Sequence, residues 1–210
     1  MKLDFSNIKE FYDTNNRGHG VDHIQRVYEN ALRIAETEDC DFEVVKAAAV
    51  LHDVARHLDE NDPSGPCHAE KGAEMAREIL KSYDYTQKQK ENIIHCVRVH
   101  RYSSKLKPET IEAGIIKDAD RLDALGAILI ARLFCKCGEM RGVMHDPSIP
   151  IQEYKGAAHT KTAINHFYEK ILKIKPETFN TAKGRELAAN RYGFTKEYVE
   201  QFLKEWDCKI

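Results

Sequence analysis

Residues Lys46 to His57 read K-A-A-A-V-L-H-D-V-A-R-H, an apolar run without glycine or proline that carries His52 and Asp53 side by side. The run reads as a buried helix with the two polar residues in its middle. Burying an imidazole and a carboxylate there costs several kcal/mol unless each is hydrogen-bonded, paired or bound to a metal. A divalent cation would satisfy both at once, and a purely structural His–Asp hydrogen bond is the alternative. Neighbours on a helix point about 100° apart, so one ion can touch both only if it sits against the helix. Other helices must then supply the remaining ligands.

The same anomaly recurs in I-I-K-D-A-D-R-L-D-A-L-G-A-I-L-I-A-R, Ile115 to Arg132. Three aspartates interrupt a strongly apolar helical pattern. Asp120 and Asp123 are three residues apart and share a face, whereas Asp118 lies about 200° from Asp120 on a helical wheel. Asp118 and Asp120 are therefore rivals for one inward position.

Between and around these stretches the 3.6-residue period dominates and strand alternation is nearly absent, which gives an all-α chain of about nine or ten helices. Ser6 is placed as the cap of a short first helix ending near Tyr12, Asp22 as the cap of a second, and Asp41 as the cap of the His52-Asp53 helix. The run Asp59 to Pro66 reads as a loop. Helices follow at Cys67 to Lys81 and Thr86 to His100, and Pro108 opens the next at a first-turn position. After Arg132 the Gly and Pro spacing predicts a long loop, of a length that is often functional. Three helices close the chain near Lys161 to Leu172, Pro176 to Asn190 and Thr195 to Glu205, the last turning Tyr198, Phe202 and Trp206 inward.

The 210 residues suit a single domain, large enough to bury roughly 70% of its unfolded surface. The formal net charge is −2, so no basic face for duplex nucleic acid or anionic lipid is advertised, and a small-molecule partner is expected. Six cysteines without a C-x-x-C pair point to free thiols in a reducing compartment, the cytoplasm by default. No apolar run approaches the roughly 20 residues that span a bilayer. Whether the chain forms a homodimer is left open.

His23, His52, Asp53 and Asp120, taken in order, resemble the H…HD…D signature of the HD superfamily of metal-dependent phosphohydrolases. G-H-G-V-D-H-I-Q-R-V (Gly18 to Val27) is similar to its opening motif, L-H-D to its central pair, and K-D-A-D-R-L-D-A-L-G-A-I to its closing aspartate helix. M-H-D-P (Met144 to Pro147) and T-A-I-N-H-F-Y-E-K-I-L-K-I (Thr162 to Ile174) resemble the bacterial nucleotide-pyrophosphatase-like branch. The resemblance implies one HD-type helical domain, with a core over residues 18–132 and a C-terminal helical part over 160–206.

It also implies His23, His52, Asp53 and Asp120 as ligands of one divalent ion. Asp120 is chosen over Asp118 because Ala119 and Leu122 match the A-D-x-L form of the closing motif. Two imidazoles and two carboxylates suit Mn²⁺, with Fe²⁺, Co²⁺, Ni²⁺ or Zn²⁺ as alternatives and Mg²⁺ less well matched. The implied reaction is phosphoryl or nucleotidyl transfer to water, most specifically a nucleoside triphosphate cleaved to monophosphate and pyrophosphate. A 5′-nucleotidase, a phosphodiesterase, or a non-catalytic metal- or nucleotide-binding module on the same scaffold are the alternatives.

Arg26, His68, Lys71, His100 and Asp123 are the candidate substrate contacts. Arg26 is three residues from His23, and Lys71 stands similarly to His68; each is equally readable as a surface cation. Asp123 lies one turn beyond Asp120 and either supports a ligand or pairs with a cation. Some superfamily members place acidic residues three and four positions after the central aspartate, where this chain has Arg56 and His57. A guanidinium cannot act as a base, so the catalytic set is Asp53 with His57, or Asp59, to take the proton, unless a metal-bound hydroxide acts unaided. His68, His95 and His100 raise the alternative of a second metal, although His95 and His100 stand about 140° apart on one helix.

Overall fold

A computed structural model describes residues 1–12, 20–56, 68–102, 106–154 and 161–210. Among them there is no β-strand, only an isolated bridge between Val143 and Thr162. The fold is all-α, and no described helix is long and apolar enough to cross a membrane. The chain divides into two compact units, Met1–Arg121 with Asn180–Gly184, and Leu122–Phe179 with Arg185–Ile210.

The first unit is built on α1 (Ile8–Phe11), α2 (Val21–Ala35), α3 (Phe42–Leu51), α4 (His68–Ile79), α5 (Gln87–Val99) and α6 (Ile111–Leu122, its last residue aside). Helix α3 packs against α2 and α5, and α4 against α5. Ala47, Ala48 and Ala49 are fully buried, and their small side chains let the neighbouring helices approach closely. Gly72 serves the same end on α4: a Cβ there would stand 3.2 Å from Val97 and 3.8 Å from the His52 carbonyl oxygen.

Local signals set most helix starts. Asp41 caps α3 by accepting from the amides of Glu43 and Val44, and Thr86 opens α5 in a reciprocal capping box with Gln89. Glu112 then ties three helices together, accepting from the Asp41 amide at 2.8 Å and from Asn92 Nδ2 at 3.0 Å. Three expected starts differ. Asp4 rather than Ser6 accepts the first free amide, at 2.8 Å. Gly20 is the N-cap of α2, with Asp22 inside the first turn, where its charge suits the helix dipole. Helix α6 begins at Ile111, three residues after Pro108, because Thr110 Oγ1 accepts from the Ala113 amide.

The second unit holds α7 (Ala127–Glu139), α8 (Ala163–Glu169) and the body of α9 (Ala182–Trp206), whose first turn groups with the first unit. Phe134 meets Phe167, Tyr198 and Phe202 at ring separations of 5.9–6.4 Å. The helix expected from Ile115 through Arg132 breaks at Gly126, whose φ of 87° suits only glycine comfortably. Its amide donates to Thr195 Oγ1 at 2.8 Å, which holds the break. The loop expected after Arg132 is instead helical to Glu139, Cys135 and Cys137 included. The two helices expected across Gly193 are one helix, because a lone helical glycine costs only about 1 kcal/mol against alanine. On its last turns Val199 is buried and Tyr198 half-buried, while Trp206, expected inward, is exposed and stacks on Phe202.

Asp118 shows how α6 is locked within the first unit. It is fully buried and accepts from the Asn180 and Thr181 amides at 2.8–2.9 Å, and from Asn180 Nδ2 and Thr181 Oγ1. Gly184 packs so tightly here that a Cβ would lie 2.5 Å from Asp118 Oδ2 and 2.6 Å from Thr181 Oγ1. Asp118→Ala strands these buried donors and is expected to lower stability by about 2–4 kcal/mol. Gly184→Ala, by overpacking the same point, is expected to cost about 1–3 kcal/mol. Urea unfolding followed by circular dichroism reads both, and unchanged midpoints would refute the lock.

Candidate metal centre

Helix α3 stops at Leu51, just before the His–Asp pair, rather than running through it. Residues 52–55 form a turn with i→i−3 bonds, Val54 amide to Leu51 carbonyl at 3.1 Å and Arg56 amide to Asp53 carbonyl at 2.8 Å. The end of an α-helix leaves carbonyls without helical partners. Here Ala49 O accepts from His52 Nδ1 at 2.8 Å and Val50 O from the Tyr12 hydroxyl at 2.7 Å. A carbonyl only accepts, so the proton sits on His52 Nδ1 and the Nε2 lone pair faces away from the backbone.

That lone pair points into a cluster. His52 Nε2 lies 3.4 Å from His23 Nε2, and His23 Nε2 lies 3.7 Å from Asp53 Oδ2 and 3.6 Å from Asp120 Oδ1. His52 Nε2 to Asp53 Oδ2 is 4.0 Å. With metal–ligand bonds of about 2.0–2.2 Å, donors around one octahedral ion stand about 3 Å apart when adjacent and about 4 Å apart when opposite. His23 Nε2 thus stands at such spacings from donors of His52, Asp53 and Asp120, and His23, His52 and Asp120 form one group of donors close enough to share an ion. The side chains of His23, His52 and Asp53 are at most 4% exposed, while that of Asp120 is 26% exposed. Asp120 therefore forms the open rim, and Asp118, bound to residues 180 and 181, takes no part.

Electrostatics favour a cation. Burial pushes the His52 imidazole down to about 4, outweighing the pull of Asp53, so it is neutral and free to coordinate at neutral pH. Burial alone would raise the Asp53 carboxyl, but hydrogen bonds from His100 and His68 and the neighbouring His52 outweigh it and hold the group well below the usual carboxylate range. Burial likewise pulls His100 toward neutrality, and the Asp53 carboxylate reverses this and raises it.

Asp53 faces two ways. Its Oδ1 lies 3.2 Å from His68 Nε2 and 3.4 Å from His100 Nε2, so Asp53, His68 and His100 form a second cluster. His100 Nδ1 is fixed on the Val97 carbonyl at 2.6 Å, as His52 is on Ala49. His95 joins neither cluster, because its Nε2 accepts from the Glu109 amide at 3.0 Å.

The other sequence candidates scatter. Arg26, on the α2 turn after His23, pairs with Asp22 at 3.0 Å, and Lys71, on the α4 turn after His68, with Glu74 at 3.4 Å. Asp123 is buried in the second unit, where Arg132 is its partner. His57 and Asp59 lie outside the described residues. Sequence reasoning did not single out Arg56 as a contact, although its Nη1 lies within 3.4 Å of both His68 ring nitrogens. A cation where an acid is expected was the available signal.

The sequence model of the HD domain matches residues 20–125, which span all four donors. YpgQ of Bacillus subtilis, a protein described as uncharacterised, is 30% identical over 193 residues, 90% of this chain and 84% of that one. A crystal structure of a Lactobacillus plantarum protein superposes with a TM-score of 0.76 at 32% identity, covering 97% of this chain and 95% of that one. An HD-superfamily hydrolase of Bacillus thuringiensis superposes with a TM-score of 0.74 at 32% identity, covering 97% and 94%. YpgQ has also been crystallised in complex with ADP, and that structure superposes with a TM-score of 0.70 at 29% identity, covering 96% and 94%. With an HD-domain match over half its length and a buried His/Asp cluster that suits a divalent ion, the chain belongs to the HD superfamily of metal-dependent phosphohydrolases.

Proposed function

We propose that this chain hydrolyses nucleoside triphosphates to the monophosphate and pyrophosphate, with one Mn²⁺ held by His23, His52, Asp53 and Asp120. The observation that carries the reading is the position of His23 Nε2, 3.4–3.7 Å from donor atoms of His52, Asp53 and Asp120, beside an Asp120 side chain that is 26% exposed. Such a mixed nitrogen and oxygen set suits Mn²⁺ better than Mg²⁺. The ADP complex of YpgQ supports a nucleotide as the ligand class.

When bound, the ion supplies Lewis-acid polarisation of a phosphate oxygen and makes water acidic enough to attack near neutral pH. The protein side chains do the positioning. The Ala49 carbonyl orients His52, and the Val97 carbonyl orients His100. His68 and His100 line the side of Asp53 away from His23, where their imidazoles can donate to a phosphate oxygen. Arg26 and Lys71 stand one helical turn from the cluster, and each reaches a phosphate by leaving its surface acid. We place His57, three residues beyond Val54 in the chain, as the group that takes the proton. The second cluster at Asp53, His68 and His100 favours a phosphodiesterase as the alternative reading, because a second ion there would make a two-ion centre.

A product panel over nucleoside mono-, di- and triphosphates with Mn²⁺ decides between them. Pyrophosphate without orthophosphate is expected from triphosphates, and no product from His52→Ala or Asp53→Ala. Orthophosphate from monophosphates, or cleavage of diesters alone, would overturn the leading reading. The ligand set has its own test by thermal shift. Mn²⁺ at 100 times its Kd is expected to stabilise the protein by about 2.7 kcal/mol. Asp120→Ala should abolish that gain and Asp118→Asn should keep it, although the latter starts from a lower melting temperature. Equal losses in the two variants would remove Asp120 from the ligand set.

A further inference from the structure

Arg56 lies three residues beyond Asp53, and the hydrogen bond its backbone N–H donates to the Asp53 carbonyl at 2.8 Å fixes where its side chain starts. From there the half-buried guanidinium places Nη1 3.4 Å from Nδ1 and 3.3 Å from Nε2 of His68. His68 Nε2 is in turn 3.2 Å from Asp53 Oδ1, and His100 Nε2 is 3.4 Å from the same oxygen. The His68 and His100 rings stand 5.4 Å apart.

Two imidazoles and a carboxylate oxygen so arranged are the donors a second divalent ion would take. A guanidinium is a permanent positive charge, however, and this one already presses against the His68 imidazole. A divalent ion on that ring would sit beside it, where His68, His100 and Asp53 are all buried and water screens the repulsion only weakly. The same guanidinium presents several N–H donors in a planar fork, a shape that matches two oxygens of one phosphate.

We infer that Arg56 takes the electrostatic place of a second metal ion: it keeps the centre to a single ion and binds a phosphate of the substrate beside Asp53. The phosphate half rests on the nucleotide reading above, whereas the single-ion half does not.

Titration of the full chain with Mn²⁺ alone, read by calorimetry and by elemental analysis after desalting, tests the first half. One Mn²⁺ per chain is expected for the wild type and two for Arg56→Glu, with the second lost again in Arg56→Glu combined with His68→Ala. Should Arg56→Glu fail to fold by circular dichroism, Arg56→Gln serves, since it removes the repelling charge and should also admit a second ion. Two ions on the wild type, or one on every folded Arg56 variant, overturns the inference. For the second half the probe is a non-hydrolysable nucleoside triphosphate analogue with Mn²⁺ present. Arg56→Gln should weaken its binding about 10- to 100-fold and Arg56→Lys less. Equal affinity in wild type and Arg56→Gln removes the phosphate contact. If the wild type does not bind the analogue at all, the nucleotide reading falls, and the ion count still decides the role of Arg56.

Discussion

The carboxylate of Asp53 sits almost fully buried, with Oδ2 toward His23 and His52 and Oδ1 toward His68 and His100. An ionised carboxylate in such an interior is tolerated only when paired, hydrogen-bonded or bound to a cation. Four imidazoles from α2, the turn after α3, the start of α4 and the end of α5 supply that compensation. The packing of the first unit is thus also the assembly of its centre, because each helix that covers the α3 core brings one ring to Asp53.

The backbone makes this arrangement accurate. Ending α3 at Leu51 frees carbonyls at the helix terminus, and one of them orients the His52 ring. Val97 does the same for His100 where α5 ends. Gly72 lets α4 approach the His52 carbonyl, and His68 sits one turn earlier on that helix. Donors held in this way need little reorganisation when a ligand arrives, which is the advantage of a preorganised polar site.

The family relationship and the chemistry of individual residues answer different questions. Membership fits the buried His/Asp cluster, a divalent ion and phosphate chemistry. It does not account for Arg56, whose guanidinium lies against the His68 ring. A cation at that point bears on which charges Asp53, His68 and His100 can accept, and that depends on this chain's own side chains rather than on the shared frame.

Much of the fold was legible in the sequence because helix caps are local: Asp41 and Thr86 each capture amides two or three residues away. Glycines were not, because the same residue breaks the chain at Gly126 and passes unnoticed at Gly193, and the difference lies in Thr195, sixty-nine positions from the break. The motif His52-Asp53 and its apolar setting announced a buried polar centre without any coordinates. Local pattern could not choose between Asp118 and Asp120, since helical phase states only that they point apart. The tertiary structure decided it: residues 180 and 181 fold back to occupy Asp118 with four donors, and Asp120 is left facing His23 across 3.6 Å.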